Sequence, residues 1–346
     1  MAKCVRTFAC VLGVAAVAAG IAFSAPAFAQ APKERSYLLG TATTGGSYYP
    51  IGVAIATLTK VKLQDQHKMS LSAITSAGSG ENIKLMRENQ IQFSILQGLY
   101  GAWAWNGEGD FKAEGPQRDF RSVSMLWFNT EHFAILSEYA KTGNISDMAN
   151  IKGKKFSIGA RKSGTEGSGR TILAGLGFDP DKDFDLAYLG YNPSAEALQN
   201  GTIAGFNIPG GMPVSAVAQA AATLKDKMRI LNVSADELKK INAAAKLDLW
   251  VPFTIPADTY AGHAKPIQTI AQPNFLGVRK DVPDNDVYLL TKTMYENLAF
   301  LRNIHKSTED MALEKAIGGL PFPLHPGALK YYKEKGLAIP DALIAK

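Results

Sequence analysis

Beyond residue 29 the chain contains no cysteine; the two it has, Cys4 and Cys10, both lie close to the N-terminus. Without them the remainder has no disulfide, no thiol nucleophile and no thiolate metal site. The five histidines, His67, His132, His263, His305 and His325, show neither H-x-x-x-H nor H-E-x-x-H spacing, which argues against a zinc centre. There is no G-x-x-x-x-G-K-[ST] and no G-x-G-x-x-G, so neither nucleotide cradle is present, and no G-x-S-x-G nucleophile elbow. After residue 29 no stretch approaches the ~20 apolar residues that a membrane helix needs. Charge of one sign does not cluster either. Lys and Arg are scattered, which argues against a nucleic-acid partner.

The N-terminus is different in kind. Lys3 and Arg6 form a basic start, residues 11–23 an apolar run rich in small side chains, and Ala27-Phe28-Ala29 a small-x-small cleavage site. Residues 1–29 therefore read as an export signal with a mature start at Gln30; an uncleaved anchor is the alternative reading. Removing Lys3 and Arg6 from the 37 basic residues leaves 35 against 31 acidic, a net charge of +4. About 317 residues follow residue 29, a length that suggests two domains with enough core to be stable without cross-links.

What the chain does contain is a repeated strand–loop–helix pattern, the signature of α/β layers. Tyr37-Leu38-Leu39 precedes Gly40-Thr41-Ala42-Thr43-Thr44-Gly45-Gly46-Ser47-Tyr48-Tyr49-Pro50, and an apolar helical stretch follows from Ile51 to Leu58. Pro50 suits the first turn of a helix. Glycines let backbone amides approach a ligand, and a helix start leaves N–H groups unpaired, so this junction suits a carboxylate or similar anion. A tight turn without a ligand is the plainer reading.

The second half repeats the arrangement. Residues 155–159 read as a strand, 160–165 as a loop containing Ser163-Gly164-Thr165, and 166–176 as a helix. Further strands are expected at 71–74, 91–96, 123–128, 133–136 and 186–189. Ser194 is expected to cap a helix running to Asn200. Residues 91–98 and 203–210 match in length and pattern and read as equivalent strands of two lobes. Beyond Trp250, strands are expected at 267–271 and 275–278, and long helices at 285–301 and 308–317. Trp103 and Trp105, two apart, cannot share one helix face, so one belongs to the core and the other to a surface or lobe interface.

In open α/β sheets ligands bind beyond the carboxyl ends of strands. Two lobes whose loops face each other make a clamp that closes about a hinge. The candidate contacts are Thr43, Gly46, Ser47, Tyr48 and Tyr49 of the first loop; Ser79 and Asn82 at a helix start; Gln97 at a strand end; Ser163, Gly164 and Thr165 of the second loop; and Asn207, Pro209 and Gly210 after the second-lobe strand. The plainer readings are turn packing for Tyr48 and Tyr49, and capping for Ser79 and Asn82. Arg161 could pair with a carboxylate or remain a solvated loop arginine. His325, between Pro323-Leu324 and Pro326, reads as a structural hydrogen-bonding residue.

These residues also carry a resemblance. Gly40-Thr41 with Gly45-Gly46-Ser47-Tyr48-Tyr49-Pro50-Ile51-Gly52, Gly78-Ser79 with Glu81-Asn82, Ser163-Gly164-Thr165-Glu166, Gly201 with Phe206, and Leu324-His325-Pro326-Gly327-Ala328 with Tyr331-Tyr332 and Glu334-Lys335-Gly336 together resemble the TAXI family of solute-binding proteins, which serve TRAP transporters. The departure is Arg161-Lys162, where that family tends to small residues. The resemblance implies a type II periplasmic-binding-protein fold: two α/β lobes, two hinge strands and a central cleft. Lobe I would comprise residues 30–132 and 251–346, and lobe II residues 133–250. It further implies a periplasmic monomer, no cofactor and no catalysis. Its ligand would be a small carboxylate, such as glutamate, a dicarboxylate or a 2-oxo acid, and its partners the membrane subunits of the transporter. A sensor docking on a receptor kinase, or a secreted hydrolase with a triad assembled from distant residues, are the alternatives.

Overall fold

Strand and helix alternate along the chain because short β-rich runs are punctuated by Gly/Ser/Thr loops that open helices. The computed structural model describes residues 33–345, so the expected export signal at 1–29 lies outside the described residues. Residues Glu34–Lys346 cluster as one unit. Its elements begin with β1 (Arg35–Gly40), α1 (Tyr48–His67), β2 (Met69–Ile74), α2 (Ser79–Arg87), β3 (Phe93–Gln97), α3 (Gly98–Asn106) and the long β4 (Phe120–Thr130). The chain then crosses at Glu131-His132 into a second sheet. That part contains β5 (Phe133–Leu136), β6 (Lys155–Ser157), α4 (Gly164–Gly175), α5 (Pro180–Asp183), β7 (Asp185–Ala187), α6 (Tyr191–Gln199), β8 (Gly205–Asn207), α7 (Ser215–Leu224), β9 (Met228–Ile230) and α8 (Ala235–Ala245). It returns to the first sheet with β10 (Val251–Ile255) and β11 (Ile267–Arg279), and ends in α9 (Asp284–Glu296), α10 (Leu298–Ile304) and α11 (Pro326–Glu334).

The two sheets are built alike. The first runs β2-β1-β3-β11-β10, with β4 pairing the other edge of β11; the second runs β7-β6-β8-β5-β9. In the first, β1 is parallel to β2 and β3, while β11 is antiparallel to β3 and β10. In the second, β6 is parallel to β7 and β8, while β5 is antiparallel to β8 and β9. Position by position β3 corresponds to β8, in keeping with the likeness of residues 91–98 and 203–210. The loops after β1 and β6 are equivalent as well, each closing a central parallel strand and opening a helix. This is a two-lobed α/β fold.

Each sheet has apolar side chains on both faces. One face of the first sheet packs against α1, α9 and α11 through Leu39, Ile55, Trp127, Leu276 and Tyr332, and the other against Ile83, Tyr100 and Phe275. Tyr332 in α11 donates to the carbonyl of Val123 at 2.9 Å, tying the C-terminal helix to β4. In the second sheet Phe156 of β6 packs with Ile172 of α4 and Ile241 of α8 on one side, and Phe206 of β8 with Val217 and Ala220 of α7 on the other.

Local chemistry overrides the pattern in several places. The two strands expected at 267–271 and 275–278 are one strand running through Pro273, with register irregularities just beyond it against β4. The helix expected at 285–301 breaks at Asn297, whose φ of −129° is not helical. That expected at 308–317 is replaced by two short 3₁₀ turns. There the Thr308 hydroxyl donates to the His305 carbonyl at 2.7 Å, and the Asp310 carboxylate accepts from Phe128 N–H at 3.3 Å. Such side-chain bonds compete with the helical ladder. Ser194 is not a cap: it lies inside α6, whose N-cap is Gly190, and donates back to the Gly190 carbonyl at 2.8 Å. Neither Trp103 nor Trp105 is fully buried. Trp103 leans on Tyr100 between two apolar clusters, and Trp105 stacks on Phe322 beneath Arg118. His325 does cap α11, its Nδ1 accepting from Gly327 N–H at 3.2 Å.

Candidate functional site

Between the two sheets lies a narrow cleft whose walls are helix starts. On one side are Ser47 and Tyr48 at the head of α1, and Gly78 and Ser79 at the head of α2. On the other are Ser163 and Gly164 at the head of α4, and Gly190 and Tyr191 at the head of α6. Ala42, Thr43, Gly46, Ala77, Gln97, Asn129, Ala160, Thr165 and Pro209 complete the lining, and no residue in it carries a formal charge. The space between the walls is about 30 Å³, within an envelope of about 460 Å³ that includes the mouth.

Each wall is held by local bonds. The Ser163 hydroxyl caps α4 by accepting from Glu166 N–H at 3.0 Å, and that of Ser79 accepts from Gln97 N–H at 3.0 Å. Ser47 does not cap its own helix: its hydroxyl reaches across and accepts from Gly211 N–H at 3.0 Å. Ala216 N–H donates to the Gly45 carbonyl at 3.2 Å, and Glu81 N–H to the Lys162 carbonyl at 3.1 Å, so the two walls are also bonded backbone to backbone. The glycines permit this approach. A Cβ on Gly46 would sit 2.8 Å from the Tyr191 ring, and one on Gly164 would sit 2.6 Å from Gln97 Oε1.

The polar side chains of the site are neutral. Tyr48 is buried and donates to Asn274 Oδ1 at 2.6 Å. Tyr191 donates to the Pro209 carbonyl at 2.5 Å, while the Thr165 hydroxyl lies 2.9 Å from its oxygen. Burial holds both phenols far above their ordinary pKa, so they remain protonated hydrogen-bonding groups. Gln97 is 1% exposed, and its Oε1 has no partner among the described residues. Convergent helix starts attract negative charge through their unpaired N–H groups and aligned dipoles. With no lysine or arginine in the lining, that is the field an anion would meet.

Of the residues expected from sequence, Thr43, Gly46, Ser47, Tyr48, Ser79, Gln97, Ser163, Gly164, Thr165 and Pro209 line this cleft together. Tyr49, Asn82, Asn207 and Gly210 do not. Tyr49 is half-buried on α1 outside the lining. Asn82 is spent behind the wall, donating to the Thr41 carbonyl at 2.8 Å and accepting from Ser76. Gly210 is consumed by paired backbone bonds with Thr130. Asn207 is buried outside the lining, its Nδ2 donating to Glu131 at 3.1 Å. Arg161 lies over the Tyr188 ring at 3.6 Å and is not part of the lining.

Besides the alanines and glycines of the lining, Asn129 and Tyr191 are the polar side chains that were not among the expected contacts. Tyr191 follows Gly190 at one more strand–loop–helix junction, a signal that was available. Asn129 is a polar residue ending an apolar strand.

Behind the cleft the first crossing holds two buried titratable groups side by side. Glu131 accepts from Asn207 Nδ2 at 3.1 Å and from Trp250 Nε1 at 3.3 Å, and takes part in no ion pair among the described residues. Burial pushes its carboxyl up to about 7, although these bonds pull the other way. His132 Nε2 lies 2.9 Å from the Tyr260 hydroxyl, and burial takes the ring down to about 4, so it is neutral at pH 7.

A model of the NMT1-like family matches residues 39–336. The chain belongs to the NMT1-like family. Among solved structures this NMT1-like chain is similar to the periplasmic aliphatic sulphonate binding protein SsuA of Escherichia coli, at 12% identity over 87% of this chain and 84% of that one with a TM-score of 0.43. It is also similar to the alkanesulfonate-binding protein SsuA of Xanthomonas axonopodis pv. citri bound to MOPS, at 11% identity over 88% and 92% with a TM-score of 0.46. A third is a binding protein component of a phosphonate ABC transporter from Pseudomonas aeruginosa, at 14% identity over 79% and 78% with a TM-score of 0.46.

Two outcomes follow from this geometry. Gly164→Ala keeps the fold, seen as unchanged far-UV circular dichroism, but its methyl displaces the Gln97 amide oxygen 2.6 Å away and lowers the melting temperature by a few degrees. For Glu131 the folded form holds a proton that the unfolded chain releases near its ordinary pKa of ~4.5, so this residue's contribution to stability falls as pH rises from 4.5 to 7. The stability of Glu131→Gln relative to wild type therefore climbs by on the order of 3 kcal/mol across that window in urea titrations at stepped pH.

Proposed function

We propose that this chain is the solute-binding component of a TAXI-type TRAP transporter. In this reading it is exported to the periplasm, captures a small carboxylate between two lobes by hinge closure, and hands it to the membrane subunits for ion-gradient-driven uptake. Lobe I is residues 30–132 with 251–346, and lobe II is residues 133–250. The ligand is an amino acid such as glutamate, a dicarboxylate or a 2-oxo acid. The role is capture rather than turnover.

One observation carries the reading. The starts of α1 and α2 from one lobe and of α4 and α6 from the other meet across a cleft lined by neutral groups. An anion placed there is attracted from both sides by backbone N–H groups. Contacts made to both lobes at once are gained only on closure, which is what a ligand needs in order to shift an open–closed equilibrium. Thr43, Gly46, Ser47, Tyr48, Ser79 and Gln97 would hold the ligand from lobe I, joined by Asn129. Ser163, Gly164, Thr165, Pro209 and Tyr191 would close over it from lobe II.

The test is a thermal-shift screen of residues 30–346, refolded from denaturant to strip carried-over ligand, against amino acids, dicarboxylates, 2-oxo acids and sugars. At a hundredfold excess over Kd a ligand adds about 2.7 kcal/mol to stability. A concentration-dependent rise in melting temperature with a carboxylate is expected. A rise with a sugar or neutral compound alone would overturn the carboxylate assignment.

A further inference from the structure

Asn129 lines the cleft, and Glu131 lies two residues further along the same extended stretch. Residues two apart on extended backbone share a face. On the facing lobe Asn207, two residues before the lining residue Pro209, bonds to Glu131 at 3.1 Å, and the lining phenols Tyr48 and Tyr191 lie close enough to Glu131 to feel its charge. Glu131 is 1% exposed. The groups facing it are Asn207 at the end of β8, Trp250 at the return crossing, Gln272 on β11 and Ser168 on α4, besides the phenols Tyr48 on α1 and Tyr191 on α6. Its neighbour His132 is neutral near pH 7. No lysine or arginine among the described residues pairs with it.

A carboxylate held by the helix starts would therefore lie close to a second buried carboxyl with no cation between them. Two anions in a water-poor site cannot both keep their charge cheaply, and the group without a counter-ion is the one that takes a proton. The wiring for a protonated carboxyl is present. Asn207 donates to Glu131 through Nδ2, while its own Oδ1 is buried without a partner. A half-turn of that amide turns the acceptor towards a Glu131 O–H. Trp250 Nε1 still serves the other carboxyl oxygen at 3.3 Å, and Gln272 Nε2, buried nearby without a partner, is a further donor in reserve.

We infer that ligand capture is coupled to proton uptake at Glu131: the cleft takes a carboxylate and the carboxyl behind it takes one proton from solvent. This rests on the carboxylate reading of the cleft. The only bond formed is the new O–H, and no bond is broken in the ligand.

The test has two arms. In the first, the protein with ¹³C-labelled glutamate side chains is titrated by NMR without ligand, the Glu131 signal being assigned by its loss in Glu131→Gln. It should titrate near neutrality; ionisation complete by pH 5 would overturn the proposal whatever the ligand. In the second, L-glutamate and 2-oxoglutarate are titrated calorimetrically at pH 7.5 in phosphate and in Tris, whose ionisation heats differ. Uptake approaching one proton per bound probe is expected, together with a Kd that weakens up to tenfold per pH unit above about 7. In Glu131→Gln, with folding checked by circular dichroism, uptake vanishes and Kd becomes independent of pH. Binding with no uptake, or with proton release, would overturn the coupling alone. Failure of both probes to bind would overturn the carboxylate reading and the coupling with it, even where Glu131 titrates as expected.

Discussion

The structure depends on backbone amides of two sheets meeting at close range without charged side chains to mediate. Each sheet ends its central parallel strand in a loop that opens a helix, and the sheets face each other with those loops inward. The approach is possible only where side chains are absent. Gly46 lies against the Tyr191 ring, and Gly164 lies over Gln97 and Ser79. The serines then do three different jobs: Ser163 caps its helix, Ser79 fixes the end of β3, and Ser47 bonds to the opposite wall. A polar but neutral cleft results, and its preference for negative charge comes from the orientation of peptide groups.

The same economy of charge makes the crossing behind the cleft unusual. Glu131 and His132 are buried next to each other, and burial favours the neutral form of each. They do not pair. Glu131 bonds to Asn207 and Trp250, and His132 to Tyr260, each residue joining the first crossing to elements on either side of it. Their pH dependences have opposite sign. Stability linked to Glu131 falls as pH rises from about 4.5 to 7, while that linked to His132 rises between about 4 and 6.5. Between pH 4.5 and 6.5 the two slopes oppose, so the crossing is less sensitive to pH than either group alone would make it.

Much of this was legible in the chain. The loops at 40–47 and 160–165 announced themselves by glycine and hydroxyl residues between a strand and a helix, and both line the cleft. The equivalence of residues 91–98 and 203–210 was visible as pattern before the matching sheet orders made it geometric. What was not legible depended on distant partners. Asn82 and Asn207 have the right chemistry for ligand contact, but their amides are committed to Thr41 and Glu131, far away in sequence. The helix expected at 308–317 fails because Thr308 and Asp310 find partners outside it. Tyr191 belongs to a junction of the same kind as the first two, with only Gly190 and Pro193 to mark it.

If a bound carboxylate draws the two walls together, as proposed, their separation falls when it binds. Because the chain beyond residue 29 has no cysteine, spin labels can be placed cleanly at Lys84→Cys on α2 and Lys182→Cys on α5, both exposed and on opposite sides of the cleft. Pulsed dipolar spectroscopy on this doubly labelled protein, with and without a carboxylate that raises its melting temperature, reads the distance directly. A broad, longer distribution without ligand that narrows and shortens on saturation is expected. An unchanged distribution at saturation would contradict it.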